Sequence, residues 1–157
     1  MKNIIGAASG LVMIASWAFA EPQGTFRQAH EVGSGSASSL DPISKGRVFQ
    51  VTEKIMSRLV RPDMEGRPSP DLAVKWSANA DATEWTMELR RGVTFHDGTT
   101  FGSEDVVYSL ERVLDPEMDS PARSAISMIT NVKAIDESSV KLTLGSSFAD
   151  LPLLLMD

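Results

Sequence analysis

Residues 84–116 read EWTMELRRGVTFHDGTTFGSEDVVYSLERVLDP, and in this stretch the signals for a strand, a turn, a helix and a helix stop follow without a gap. Its first part alternates between apolar and polar residues, which is the period of a strand buried on one face. The apolar members are Trp85, Met87 and Leu89. The alternation pauses at Arg90–Gly92 and then resumes, so we predict a strand over Thr83–Phe95.

The second part of the stretch predicts a helix from Ser103 to Leu114. Ser103 is placed to cap the free N–H groups, and Glu104 and Asp105 lie in the first turn, where the helix dipole favours negative charge. The pair Asp115–Pro116 stops the helix. One apolar stripe runs along it, made of Val106, Val107, Leu110, Val113 and Leu114. Because burial of each side chain gains roughly 1.5–3 kcal/mol, we expect this helix to lie on the core.

Between the strand and the helix, the residues Phe95, His96, Asp97 and Gly98 predict a tight turn, since Asp can bond its own backbone and Gly can take a positive φ. His96 and Asp97 also suggest an acid–base pair, but adjacent residues in a turn rarely point at one another. The chain has no Cys, two distant His and none of the common nucleophile or phosphate-loop motifs. We therefore predict no catalytic residue and no enzyme.

These ordered motifs resemble the signature of the family 5 extracellular solute-binding proteins, which are the peptide, oligopeptide and nickel receptors of ABC importers. The resemblance rests on Leu89–Thr99, on Glu104–Val106 and on Ser109–Arg112, and Pro70–Trp76 is similar to a further family motif. At Ser103 the family usually has alanine or a similar small residue. The resemblance implies an α+β fold, as part of lobe I of a two-lobed, class II-like periplasmic binding protein. It also makes the residues of the turn and the first helical turn, Phe95, His96, Asp97, Gly98, Glu104 and Asp105, structural rather than chemical.

The remaining patterns complete the predicted fold. Asn131–Ile135 and Val140–Leu144 are two strands joined by a short polar turn, which indicates a hairpin. Ser44–Val60 is a second amphipathic helix, and shorter helices are predicted over residues 120–128 and 148–156. Since each apolar stripe must be buried against a sheet face, we expect a mainly antiparallel sheet packed by the two longer helices.

The N-terminus has the pattern of a secretory signal peptide at Met1–Ala20, with Lys2 at its start and small residues before Glu21. A membrane anchor is the alternative, but Gly and Ser break the apolar run, which is short of the ~20 residues that a span needs. Without Cys, neither a lipid anchor nor a disulfide can form. We predict cleavage after Ala20, export to the periplasm of a Gram-negative cell, and residues 21–157 as the N-terminal part of the family domain.

The formal net charge is −6, from 15 basic and 21 acidic residues, and becomes −7 once Lys2 leaves with the signal peptide. An acidic chain argues against nucleic acid or an anionic membrane as a partner. The resemblance implies a peptide or another small solute and an inner-membrane ABC permease as partners. We expect a monomer with no cofactor and no metal site.

A loop of small residues at 33–39 precedes Leu40-Asp41-Pro42. Its composition also suits a surface linker. The resemblance implies instead that the family's first strand ends in a Leu-Asp-Pro corner along the ligand cleft, where small residues let backbone groups approach an extended ligand. The predicted ligand-binding residues are Ser36, Ser38, Ser39 and Leu40, with Asp41 holding the corner.

The last residues, Leu153–Asp157, end an apolar run without a cap or a polar tail, and the resemblance covers only the first part of one lobe. Two functions therefore stay open. The chain belongs to a receptor that delivers peptide-like solutes to an ABC importer, or it is a truncated, non-binding fragment or interaction module that keeps part of the fold. The family serves peptides, nickel chelates, haem and sugars, so the fold does not imply the ligand.

Overall fold

The computed structural model describes residues 41–43 and 49–156, which form an α+β fold. The elements are α1 (Phe49–Ile55), β1 (Val60–Pro62), β2 (Pro68–Pro70), β3 (Ala73–Ala78), β4 (Glu84–Leu89), α2 (Ser103–Leu114), a 3-10 turn (Pro116–Met118), α3 (Arg123–Ile126), β5 (Ile129–Asp136), β6 (Ser139–Leu144) and α4 (Leu151–Leu154). The predicted fold class is confirmed. The predicted signal peptide lies outside the described residues, and no helix within them is long and apolar enough to cross a membrane.

The main sheet has four antiparallel strands in the order β3-β4-β6-β5, while β1 and β2 form a separate two-stranded hairpin. Across the two central strands, Trp85 lies opposite Leu142 and Met87 opposite Val140, and all four side chains are buried. The other face carries polar residues, among them Glu84, whose carboxylate accepts a hydrogen bond from Lys141 at 3.3 Å. The sheet therefore buries one face and leaves the other polar, as antiparallel sheets commonly do.

Helix α2 covers the apolar face of the sheet through contacts with β5 and β6. Val106 and Leu110 are buried, and the other three members of the predicted stripe are partly buried against the same core. The bounds of α2 agree with the prediction at both ends. The predicted hairpin of β5 and β6 is also confirmed, with both strands longer than expected.

The predicted strand Thr83–Phe95 is too long, because β4 ends at Leu89. The next N–H group, that of Arg90, donates to the Leu72 carbonyl at 2.7 Å, and Gly92 turns the chain with φ +72°. Beyond this turn, Thr94 forms only an isolated bridge with Thr100. The second run of alternation thus belongs to a small separate loop.

The predicted helix Ser44–Val60 is wrong at its end, because α1 stops at Ile55; residues 44–48 lie outside the described part of the chain. Beyond α1, the backbone of Arg58 forms hydrogen bonds with residues far along the chain instead of continuing the helix. Its N–H donates to Asp71 Oδ2 at 3.0 Å, and its carbonyl accepts the N–H of Leu72 at 3.0 Å. Ile55 is 41% exposed, so the apolar face of this predicted amphipathic helix is open to solvent at this point.

Candidate functional site

The corner at Asp41 is the part of the predicted ligand loop that the structure describes. Asp41 Oδ1 accepts the N–H of Ile43 at 3.2 Å, which makes the local turn that Asp side chains favour. Its other oxygen, Oδ2, accepts a hydrogen bond from Arg112 Nη2 at 2.8 Å. The predicted ligand-binding residues lie outside the described residues and stay predictions: Ser36, Ser38, Ser39 and Leu40.

Arg112 lies in the last turn of α2, where a cation suits the negative end of the helix dipole. Its guanidinium carbon is 5.8 Å from the centre of the Tyr108 ring, one helical turn earlier. Tyr108 is 65% exposed. The structure therefore places Arg112 between two neighbours, the exposed Tyr108 ring on its own helix and the carboxylate of the Asp41 corner.

The charge of Asp41 depends on this contact. Partial burial raises the pKa of its carboxyl group, but the Arg112 hydrogen bond, the Ile43 N–H and the charge of Arg112 together lower the pKa below its usual value. The carboxylate is thus ionised at neutral pH, and the pair with Arg112 is a charge-assisted hydrogen bond.

The predicted turn at Phe95, His96, Asp97 and Gly98 is held by its own groups. Asp97 Oδ1 accepts the hydroxyl of Thr99 at 2.7 Å and its N–H at 2.9 Å, and these bonds lower the pKa of Asp97. Gly98 takes φ +86°, a backbone conformation that side chains disfavour. The His96 ring engages the carbonyl of Ile55, with Nε2 2.8 Å from the oxygen. His96 and Asp97 therefore use their polar atoms on different partners.

At the start of α2 the predicted cap is wrong. Gly102 is the N-cap residue and Ser103 is the first helical residue. The Ser103 hydroxyl does not cap the helix but donates to the Asp136 carbonyl. Asp105 Oδ2 accepts the N–H of Gly102 at 2.8 Å, while Glu104 is exposed in the same turn. The acidic first turn was thus predicted from sequence, but the role of Ser103 depends on a strand 33 residues away.

These predicted residues do not form one cluster. Asp41 meets α2 near residue 112, whereas Asp105 lies seven residues earlier, about 10 Å along the helix axis. Within residues 41–43 and 49–156, no group of three or more His, Asp or Glu side chains is arranged to hold a metal ion. The geometry thus separates the corner at Asp41 from the turn before α2.

Sequence reasoning missed the role of Arg112, which entered only as part of a family motif. The signal was present, because Tyr108 and Arg112 are four residues apart on a helix and so share a face. What the sequence did not contain was the partner, since Asp41 is 71 residues away along the chain.

Comparison with known proteins identifies the family. Residues 67–157 match the model of the bacterial extracellular solute-binding proteins, family 5 Middle. The chain belongs to this family. The match includes β2 to α4 and the turn at Phe95–Gly98, so the predicted membership is confirmed.

Individual relatives agree with the family match. The chain is 34% identical over 129 residues to the periplasmic oligopeptide-binding protein OppA of Escherichia coli K12. This alignment covers 68% of this chain and 23% of OppA. It is 30% identical over 150 residues to the glutathione-binding protein GsiB of the same strain, covering 94% of this chain and 28% of GsiB. Both are named as binding proteins rather than enzymes.

A solved structure shows the same arrangement of elements. The periplasmic binding protein AgaA of A. tumefaciens R10, in complex with agropinic acid, matches with a TM-score of 0.69 and 38% identity, covering 78% of this chain and 25% of AgaA. The described residues therefore have the fold of part of a periplasmic binding protein. The chain spans about a quarter of the length of the curated relatives that it matches.

Proposed function

We propose that this chain forms part of the substrate-binding component of an ABC importer, which captures a peptide-like solute in the periplasm and passes it to an inner-membrane permease. The observation that supports this proposal is the family match over residues 67–157. The relatives named for oligopeptides and glutathione favour a solute with peptide bonds. In this proposal the chain is exported after cleavage behind Ala20 and acts as a monomer.

In this proposal the chain supplies one wall of the solute site, at the Asp41 corner and at the predicted ligand-binding residues Ser36, Ser38, Ser39 and Leu40. Sites for small ligands enclose roughly 70–90% of the ligand surface, which takes walls on more than one side. A single wall leaves most hydrogen bonds of the ligand in exchange with water, so each bond gains at most about 0.5–1.5 kcal/mol. We therefore expect the 157-residue chain alone to bind solute far more weakly than its longer relatives.

The second candidate is an interaction module that keeps part of the fold without binding solute. The chain spans about a quarter of the length of its curated relatives. The nucleotide sequence beyond codon 157 distinguishes the two functions. A reading frame that continues into further binding-protein sequence supports the importer function, and a stop codon supports the module.

Isothermal titration tests the one-wall proposal with three defined probes: trialanine, glutathione and agropinic acid. The 157-residue chain should show no saturable binding at micromolar concentration, because in this proposal it supplies only one wall of the site. OppA of E. coli titrated with trialanine is the matched positive control. Micromolar or tighter saturation of the 157-residue chain would overturn the one-wall proposal. If the reading frame continues, failure of the longer product to bind any of the three probes would count against this solute class.

A further inference from the structure

The contact between Asp41 and Arg112 joins two segments that are 71 residues apart. Asp41 belongs to the corner that follows the ligand loop, residues 36–40, and Arg112 belongs to the helix that packs on the main sheet. A hydrogen bond of 2.8 Å between two charged groups is short and directional. It therefore constrains where the corner meets α2.

Arg112 is itself restrained by its helix, by the Tyr108 ring and by Asp41. Its backbone lies in the last turn of α2, whose buried stripe holds the helix on the core. Its guanidinium group lies over the Tyr108 ring at 5.8 Å, a distance at which a cation and an aromatic face attract each other. The side chain is only 30% exposed, and the Asp41 side chain 36%. The cation is thus a defined anchor rather than a freely moving surface charge.

The two carboxylate oxygens of Asp41 accept hydrogen bonds from two different donors. Oδ2 accepts the bond from Arg112, and Oδ1 accepts the N–H of Ile43, which forms the turn. A change at Arg112 should therefore reach the turn through the Asp41 carboxylate.

We propose that Arg112 is a positioning residue that holds the corner at Asp41 against α2, so that α2 fixes the position of Asp41, the residue that directly follows the predicted ligand-binding residues. The connection to ligand binding rests on the proposed function, whereas the connection between Arg112 and the corner does not. Arg112 is assigned no contact with the solute, because it acts through Asp41.

Amide hydrogen exchange of the 157-residue chain tests this proposal without any ligand. The Arg112→Ala variant should exchange the Ile43 amide about two- to fivefold faster, as expected for a partly exposed ion pair. The amides of β6 should exchange at the original rate, because the core is untouched. Arg112→Lys keeps the charge without the planar fork and should recover part of the protection.

Two further variants separate positioning from a general loss of charge. Arg123→Ala removes another arginine near the same end of α2, where its Nε donates to the Leu114 carbonyl at 2.8 Å, and it should leave Ile43 unchanged. In an Asp41→Asn background, Arg112→Ala should have little additional effect on Ile43, because the two residues act through one contact. Equal effects of the two arginine variants, or additive effects of Asp41→Asn and Arg112→Ala, would overturn the proposal.

A binding experiment then separates this proposal from the proposed function. Where the longer gene product binds trialanine, Arg112→Ala should weaken binding about two- to fivefold while Arg123→Ala does not. If none of the three probes binds but Ile43 responds as expected, the solute function fails and the positioning role stands. If binding occurs and Arg112→Ala leaves it unchanged, the corner does not position the ligand loop.

Discussion

The two longer helices of the described residues differ in how they end. α2 ends at Leu114, where Asp115–Pro116 follows in the sequence, and its bounds agree with the prediction at both ends. α1 ends at Ile55, five residues before the predicted end, although no proline or glycine marks that position. A local stop signal thus determined one boundary, and contacts with distant residues determined the other.

The reason lies in the backbone hydrogen bonds after α1. The N–H of Arg58 is taken by Asp71, and the carbonyl of Leu59 accepts the N–H of Ala73 at 2.9 Å. These partners lie 13 and 14 residues further along the chain, where a search for helical periodicity does not reach. An apolar residue every three or four positions is therefore necessary for a buried helix, but it does not show where the helix stops.

The largest expected effect comes from the buried face of α2. Leu110→Ala should lower the free energy of unfolding by about 2–5 kcal/mol, because it leaves a cavity under a helix that covers the sheet. Ile55→Ala at the end of α1 is the matched control, since it removes a similar side chain that is 41% exposed, and should cost less than half as much. Urea denaturation followed by circular dichroism measures both. Equal losses would show that α1 is as well packed as α2.

A smaller effect is expected at the start of α2. Asp105→Ala removes the acceptor of the Gly102 N–H and should lower the free energy of unfolding by about 0.5–1.5 kcal/mol more than Glu104→Ala. Both variants remove one negative charge from the first turn, so the comparison isolates the hydrogen bond from the helix dipole. The same denaturation experiment decides the matter, and equal losses would assign the effect to charge alone.

The smallest effect is expected at the end of α1. Asp71→Ala removes the acceptor of the Arg58 N–H and should cost about 0.5–1 kcal/mol, because this junction is partly open to water. The Arg58 amide should exchange faster with solvent, as hydrogen exchange measured by NMR would show. Asp71→Asn keeps an oxygen at the same place and should preserve most of the protection. An unchanged Arg58 amide in Asp71→Ala would mean that α1 ends for a different reason.

The strands, like the helices, divide into those that a local sequence pattern predicts and those that depend on contacts with other elements. The hairpin of β5 and β6 was predicted because apolar residues alternate on both sides of a short polar turn, and β6 shows this period in its burial. β3 was not predicted as a strand, although Ala73–Ala78 pairs with β4 along its length. Only Ala73 of β3 is fully buried, so an edge strand of this kind leaves little alternation for a sequence pattern to detect.

The sequence by itself determined the family, the fold class, both ends of α2 and the turn before it, because each depends on residues close together in the chain. Asp97, Gly98 and the acidic first turn of α2 act within five residues of their partners. Only the tertiary structure decided the end of α1, the addition of β3 to the sheet and the pairing of Asp41 with Arg112. These features depend on contacts between residues 7 to 71 positions apart, whose partners are chosen by packing rather than by local pattern.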